Sequence, residues 1–185
     1  MTAPGLPIAD PSAPPKRPDS IVLAVQLWFG VVVLQIVAMG AQWNVFKADF
    51  KNRLEDFSKE RNEPELTANL DVTFVIGMVG VAVALTAVAA VLMWFTYVGY
   101  TWARLILGWA SAFVTVNLAF SLMALFVDAP TDSKLPDPPS WAMIPGILGG
   151  VCAVGALAAL MHRDSAAFCR DSATHRSRKR QNGFR

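Results

Sequence analysis

Polar and apolar positions segregate along this chain on the scale of whole helices. Four stretches carry no Asp, Glu, Lys or Arg: Ser20–Phe46, Val72–Ala103, Leu105–Val127 and Pro138–His162. Each exceeds the roughly 18 apolar residues that a helix needs to cross the hydrocarbon core of a bilayer. They predict four spans, at about residues 21–39, 72–96, 102–126 and 141–161. Pro145 falls in the first turns of the fourth span, where a missing amide donor costs little. The link Tyr97-Val98-Gly99-Tyr100 is short, and Gly99 is the expected helix-ending residue.

A different period follows the first span. Trp43, Phe46, Phe50, Leu54 and Phe57 recur at intervals of three and four, the signature of one helix face. Charges fill the other faces, and Asp49–Arg53, Lys51–Glu55 and Glu55–Lys59 are spaced for i,i+4 pairing. The pattern predicts an outer amphipathic helix over about residues 43–60, ended by Asn62-Glu63-Pro64, which either prolongs span one or lies on the membrane surface. Residues 1–19 hold six of the twelve prolines and are expected to be disordered. Residues 163–185 form a polar, basic tail, also expected to be disordered. Lys16 and Arg17 precede a first apolar run longer than a signal-peptide core, which predicts an uncleaved signal anchor. The expected fold is all-α: an integral membrane four-helix bundle over residues 20–162 with an outer amphipathic helix and disordered termini.

Composition narrows the class. Charged residues make up 16%, against about 25% in an ordinary globular chain, and mean hydropathy is +0.41. This argues against a soluble enzyme, a secreted disulfide scaffold and a nucleic-acid module with its own core. Charge placement predicts orientation. With four spans both termini share a side, and that side carries ten of the sixteen Lys and Arg but four of the fourteen acids. The positive-inside rule then puts both termini in the cytoplasm of a plasma-membrane protein. Trp43, Trp141 and Phe126 fall near the outer boundary, and Trp94, Tyr97, Tyr100 and Trp102 near the inner one, where amphipathic rings prefer to sit. Trp28 and Trp109 lie deeper and are expected to pack.

Candidate chemistry is sparse. No catalytic signature is present, and apart from Arg104 at the very start of span three no span holds a carboxylate, Lys or Arg, which weighs against a proton-coupled carrier. Cys152 lies in span four and Cys169 in the tail, a placement that makes no disulfide framework. His162, Cys169 and His175 match no common metal-ligand spacing, so no metal or cofactor is expected. Gln35 and Asn117 fall at similar depth in spans one and three. An amide in hydrocarbon needs a hydrogen-bond partner, so the two are expected to act as interhelical glue. A ligand site lined by Gln35, Asn117, Thr115 and Ser121 is the alternative, and contact with a partner's span a third.

Small residues repeat. Gly77, Gly80, Ala84 and Ala87 in span two and Gly146, Gly149, Ala153 and Ala156 in span four share the pattern G-x-x-G-x-x-x-A-x-x-A. Such stripes let helix backbones approach closely. The match fits duplication of a two-span unit, and it equally fits coincidence in an Ala- and Gly-rich chain. Arg176, Arg178, Lys179 and Arg180 form the densest charge, a topology determinant and a candidate contact for anionic lipid headgroups. Nucleic acid is not an expected partner.

The Pro15-Lys16-Arg17-Pro18 end of the leading tail, the Ile21–Trp28 string Ile-Val-Leu-Ala-Val-Gln-Leu-Trp, the outer amphipathic segment and the basic tail give a layout that resembles small four-span membrane proteins of actinobacteria. The resemblance implies a plasma-membrane protein in a Gram-positive-type envelope and no particular activity. The function expected from the sequence is non-enzymatic: a structural or accessory subunit contacting another membrane protein of the cell envelope, or associating with itself. A small oligomeric permease or channel is the rival.

Overall fold

The computed structural model describes residues 15–61, 70–124, 126 and 139–182. The chain folds as six α-helices: α1 Asp19–Ala41, α2 Trp43–Arg61, α3 Leu70–Val98, α4 Thr101–Ala124, α5 Met143–Met161 and α6 Arg163–Asn182. One turn of 3-10 helix, Ser140–Ala142, leads into α5. Helices α1, α3, α4 and α5 are long and apolar enough to cross a membrane. Their ends fall within two residues of the spans that charge-free length predicts.

Helix α5 packs most extensively on α1 and then on α4, while α3 lies more sparsely against α4 and α1. The core joins Ala24, Trp28 and Val31 of α1, Leu107 of α4 and Ala153, Ala156, Ala159 and Leu160 of α5, with Leu92 and Met93 of α3 packed against it. Small side chains on α5 bring the backbones together. A Cβ on Gly150 would stand 2.8 Å from the Leu118 side chain of α4, and one on Gly155 would stand 3.1 Å from Leu27 of α1. Trp28 belongs to this core as expected. Trp109 does not: it is 78% exposed and faces outward, because the part of α4 that meets the bundle runs through Ala103, Leu107 and Ser111.

Helix α2 prolongs α1. Gln42 N–H donates to Ala38 O (3.1 Å) and Phe46 N–H to Gln42 O (3.0 Å), so i to i−4 bonding crosses the junction. Trp43 meets Phe74 edge-on at 4.9 Å between centroids, Phe50 meets the same ring at 5.5 Å, and Lys47 pairs with Asp71 at 2.9 Å. These contacts fasten α2 to the start of α3. Asp49–Arg53 and Lys51–Glu55 pair as their spacing predicts, whereas the Lys59 side chain lies outside the described residues. Phe46 and Phe57 stay exposed.

The inner turn between α3 and α4 is a complete Schellman motif. Gly99 takes φ +90°, Tyr100 N–H donates to Phe95 O (2.9 Å) and Gly99 N–H to Thr96 O (3.0 Å). The accompanying contact is the Phe95–Tyr100 edge-to-face pair at 5.2 Å.

The basic tail departs from expectation. Residues 163–182 are the helix α6 rather than a disordered terminus. Its buried face is Ser165, Phe168, Cys169 and Ser172, a stripe at helical spacing whose small polar members conceal it in the sequence. Ser165 Oγ donates to Ala159 O at 2.8 Å, which leaves Ser20 Oγ to donate to Ser165 Oγ, also at 2.8 Å. The leading tail through residue 14, which is expected to be disordered, lies outside the described residues.

Candidate functional site: an uncovered interhelical seam

The inward seam of α1 is Ile21, Ala24, Trp28, Val31, Gln35 and Ala38, spaced three and four apart, so the six share one side of the helix. All are buried except Gln35, which is exposed. On α4 the corresponding row is Ala103, Leu107, Ala110, Val114, Asn117 and Ser121. Its first two residues are buried, the next two half-buried and the last two exposed. On α3, Thr96 and Phe74 are buried at the two ends, and Met78, Ala82, Thr86 and Ala89 between them are only half-covered. The half of the bundle nearer the α3–α4 turn is therefore closed, and the half of the α1, α3 and α4 seam nearer α2 is uncovered.

A fixed reference sets the depth of the amides. Trp28 Nε1 donates to Ser111 Oγ at 2.9 Å, and that hydroxyl donates to Leu107 O at 2.9 Å, tying α1 to α4. Gln35 lies two turns beyond Trp28, and Asn117 nearly as far beyond Ser111, so both stand about 10 Å further out at 1.5 Å per residue. Leu34 and Leu118, their chain neighbours, face the adjacent glycines Gly149 and Gly150 of α5. The two amides thus share a level, as the sequence predicts. They do not act as buried glue. Asn117 Nδ2 donates to Phe113 O of its own helix (3.1 Å), and Ser121 and Thr115 bond back to Asn117 O and Ser111 O at 2.9 Å each. The residues of α3 that face the bundle between its ends are only half-covered.

The two small-residue stripes also separate. On α5, Gly149, Ala153 and Ala156 are buried, and a Cβ on Gly149 would stand 3.7 Å from Leu34 Cβ. Gly146 is exposed. On α3, Gly77, Gly80, Ala84 and Ala87 are all exposed, and no atom lies within 4 Å of a Cβ placed on Gly77 or Gly80. Gly150, which the stripe pattern omits, makes the tightest approach of the glycines within the described helices. Its signal in the sequence is the doubled glycine Gly149-Gly150.

At the inner end, guanidinium groups cap helix C-termini, where free carbonyls and the helix dipole favour cations. Arg104 Nε donates to Leu160 O of α5 at 2.8 Å. Arg176 donates to Val98 O (3.2 Å) and Gly99 O (3.0 Å) at the end of α3, and stacks 4.1 Å from the Tyr100 ring centroid. Arg176 is therefore engaged with the protein rather than free for headgroups, while Arg178, Lys179 and Arg180 are exposed. Arg17 lies over Tyr97 at 4.0 Å. Burial pushes the Cys169 thiol up from its ordinary range, and Arg104 and Arg176 oppose that shift. Cys152 is half-buried against the core, and both cysteines are free thiols.

No protein family matches the chain, and neither a curated protein nor a solved structure does. The chain's own geometry is what supports a functional reading.

Proposed function

We propose that this is a non-enzymatic multi-pass protein of the plasma membrane, an accessory subunit that holds a transmembrane helix of another membrane protein in the uncovered outer seam of α1, α3 and α4. The observation that carries this reading is Gln35, the one exposed residue in a row whose other five members are buried. At membrane depth no water is at hand, so Gln35 and Asn117 favour a neighbour that offers hydrogen bonds, at about 0.6–2 kcal/mol each. The exposed Gly77, Gly80, Ala84 and Ala87 lie on the side of α3 turned away from this seam, so they do not line it. The arrangement also bears on the rival permease. Trp28, Ser111 and the Ala-rich core pack the half that holds them, which favours the accessory reading over passage through one copy. The charge bias supports an orientation with both termini cytoplasmic and the seam toward the outer leaflet.

Photo-crosslinking in native membranes tests this. A benzophenone amino acid at Gln35 is expected to capture a distinct membrane protein, while the same group at exposed Phe29, off the seam, captures none. Capture of a second copy at Gln35 would favour the oligomeric rival, and lipid adducts alone at both positions would overturn the accessory reading.

A further inference from the structure

We propose that the inner corner of the bundle, where α3 ends, binds anionic phospholipid headgroups through Lys16, Arg178, Lys179 and Arg180. The inference goes beyond the accessory role and rests on the reading that the four apolar helices span a membrane.

Two basic segments from opposite ends of the chain are pinned there. Arg17 lies 4.0 Å from the Tyr97 ring centroid and Arg176 4.1 Å from that of Tyr100. Those rings belong to the last turn of α3 and the residue that follows Gly99. The pinning arginines are used on rings and, for Arg176, on backbone carbonyls. Among the described residues, their neighbours are not. Lys16, Arg178, Lys179 and Arg180 are exposed. Helix α6 runs six residues past Arg176 to Asn182, about 9 Å, with no acidic residue in that stretch. Of the acids on the two segments, Asp164 and Asp171 lie on earlier turns of α6, and Asp19 opens α1 three residues after Lys16.

The aromatic surroundings select the ligand. Trp102 packs on Phe95 at 5.2 Å, and Phe95 in turn meets Tyr100. Trp94 and Trp102 remain 64% and 46% exposed at the same end of the span. Amphipathic rings sit at headgroup depth, and Lys and Arg stems extend along apolar surface with their charges held at the polar level. The corner therefore joins exposed cations and exposed apolar rings at one end of the bundle. A phospholipid satisfies both, whereas a soluble anion satisfies the cations alone.

The test uses the full-length protein in nanodiscs of equimolar phosphatidylglycerol and phosphatidylcholine, with retained lipid counted by native mass spectrometry after gentle delipidation. The wild type is expected to retain phosphatidylglycerol at least fivefold over phosphatidylcholine. The combined Arg178→Gln, Lys179→Gln, Arg180→Gln variant is expected to lose most of that preference, and Lys16→Gln to lower it further. The pair Lys51→Gln and Arg53→Gln, on α2 at the other end of the bundle, should leave it unchanged. Protection of Cys169 from maleimide shows that α6 remains docked; if the triple variant exposes Cys169, Lys16→Gln and Lys179→Gln singly carry the same test. Equal retention of the two lipids by the wild type, unchanged preference in the α6 variants, or full displacement by millimolar inorganic phosphate would each overturn the proposal.

Discussion

Helices α3 and α5 carry the same spacing of small residues and meet opposite surroundings. On α5 the stripe is buried from Gly149 onward, where Gly149 meets Leu34 of α1, and the adjacent Gly150 admits Leu118 of α4. On α3 all four positions are exposed. Small residues permit close approach, but they do not choose what approaches. In lipid there is no net apolar drive between helices, so contact depends on complementary shape. Helix α1 offers Leu27 and Leu34 to the glycines of α5. Helix α3 is instead fixed at its two ends. Trp43 and Phe50 on Phe74 hold the outer end, and the Gly99 turn under α6 holds the inner one. Between those anchors its seam stays partly open.

The largest effect should come from filling the glycine that α5 needs. Gly150→Leu places its first added carbon 2.8 Å from Leu118 Cβ, and the neighbouring helix backbones leave little room to yield. Overpacking of this kind costs about 1–3 kcal/mol or more, so folded protein surviving heating in detergent should fall sharply. Gly80→Leu on α3 should leave the monomer's melting temperature nearly unchanged, since open space surrounds that position. Equal damage at both sites would abolish the distinction between the helices.

The second effect concerns the inner anchor of α3. Gly99 has φ +90°, and a Cβ there would stand 2.7 Å from Ser172 Oγ and 2.9 Å from Phe168. Gly99→Ala therefore combines left-handed strain, about 1–2 kcal/mol, with a clash against α6. The expected result is undocking of α6, read as at least a tenfold faster reaction of Cys169 with maleimide. Unchanged protection would show that α6 is held without the turn.

How much of this was legible in advance follows from what each feature depends on. The spans and the α2 face depend on length, charge and period, all one-dimensional, and their ends were readable to within two residues. Helix α6 was not. Two of its four buried side chains are serines, and its docking uses Arg176 on carbonyls that become a target only after the hairpin has formed. Gln35 and Asn117 are expected to meet between helices, yet both are exposed; whether a seam is covered depends on where α3 stands, which no periodicity encodes. Gly150 escaped because α5 uses one residue of its glycine pair on each neighbour, so a single-stripe pattern captures only half of the contact.

Alkaline pH probes the same anchor more gently. The buried Cys169 thiol has its pKa raised by desolvation. A group whose folded pKa lies above its unfolded value favours docking below the unfolded value and loses that contribution as pH rises through the folded one. Docking of α6 should therefore be steady near neutral pH and weaken at alkaline pH, seen as a fall in α6 helicity or amide protection. Cys169→Ser removes the titrating thiol and should flatten the alkaline loss. A wild-type profile that weakens toward acid would contradict the assignment.

The smallest effect tests what holds the outer anchor. Lys47 and Asp71 pair at 2.9 Å, but their side chains are 43% and 74% exposed. Water and salt screen such a pair, the long Lys side chain must be ordered to form it, and exposed pairs contribute about 0.2–1 kcal/mol. Beside it Phe74 is only 4% exposed and meets two aromatic rings, each pair adding about 0.5–1.5 kcal/mol beyond the area it buries. The rings should therefore dominate. A double-mutant cycle on Lys47→Ala and Asp71→Ala is expected to give a coupling below about 1 kcal/mol that fades in high salt, while Phe74→Ala alone should loosen the α2–α3 junction more than both charge variants together. Amide exchange across α2 and the first turns of α3 reads the difference. A coupling that exceeded the loss from Phe74→Ala and persisted in high salt would make the outer end of α3 an electrostatic anchor, and the contrast with the closely packed α5 would then be one of charge against packing.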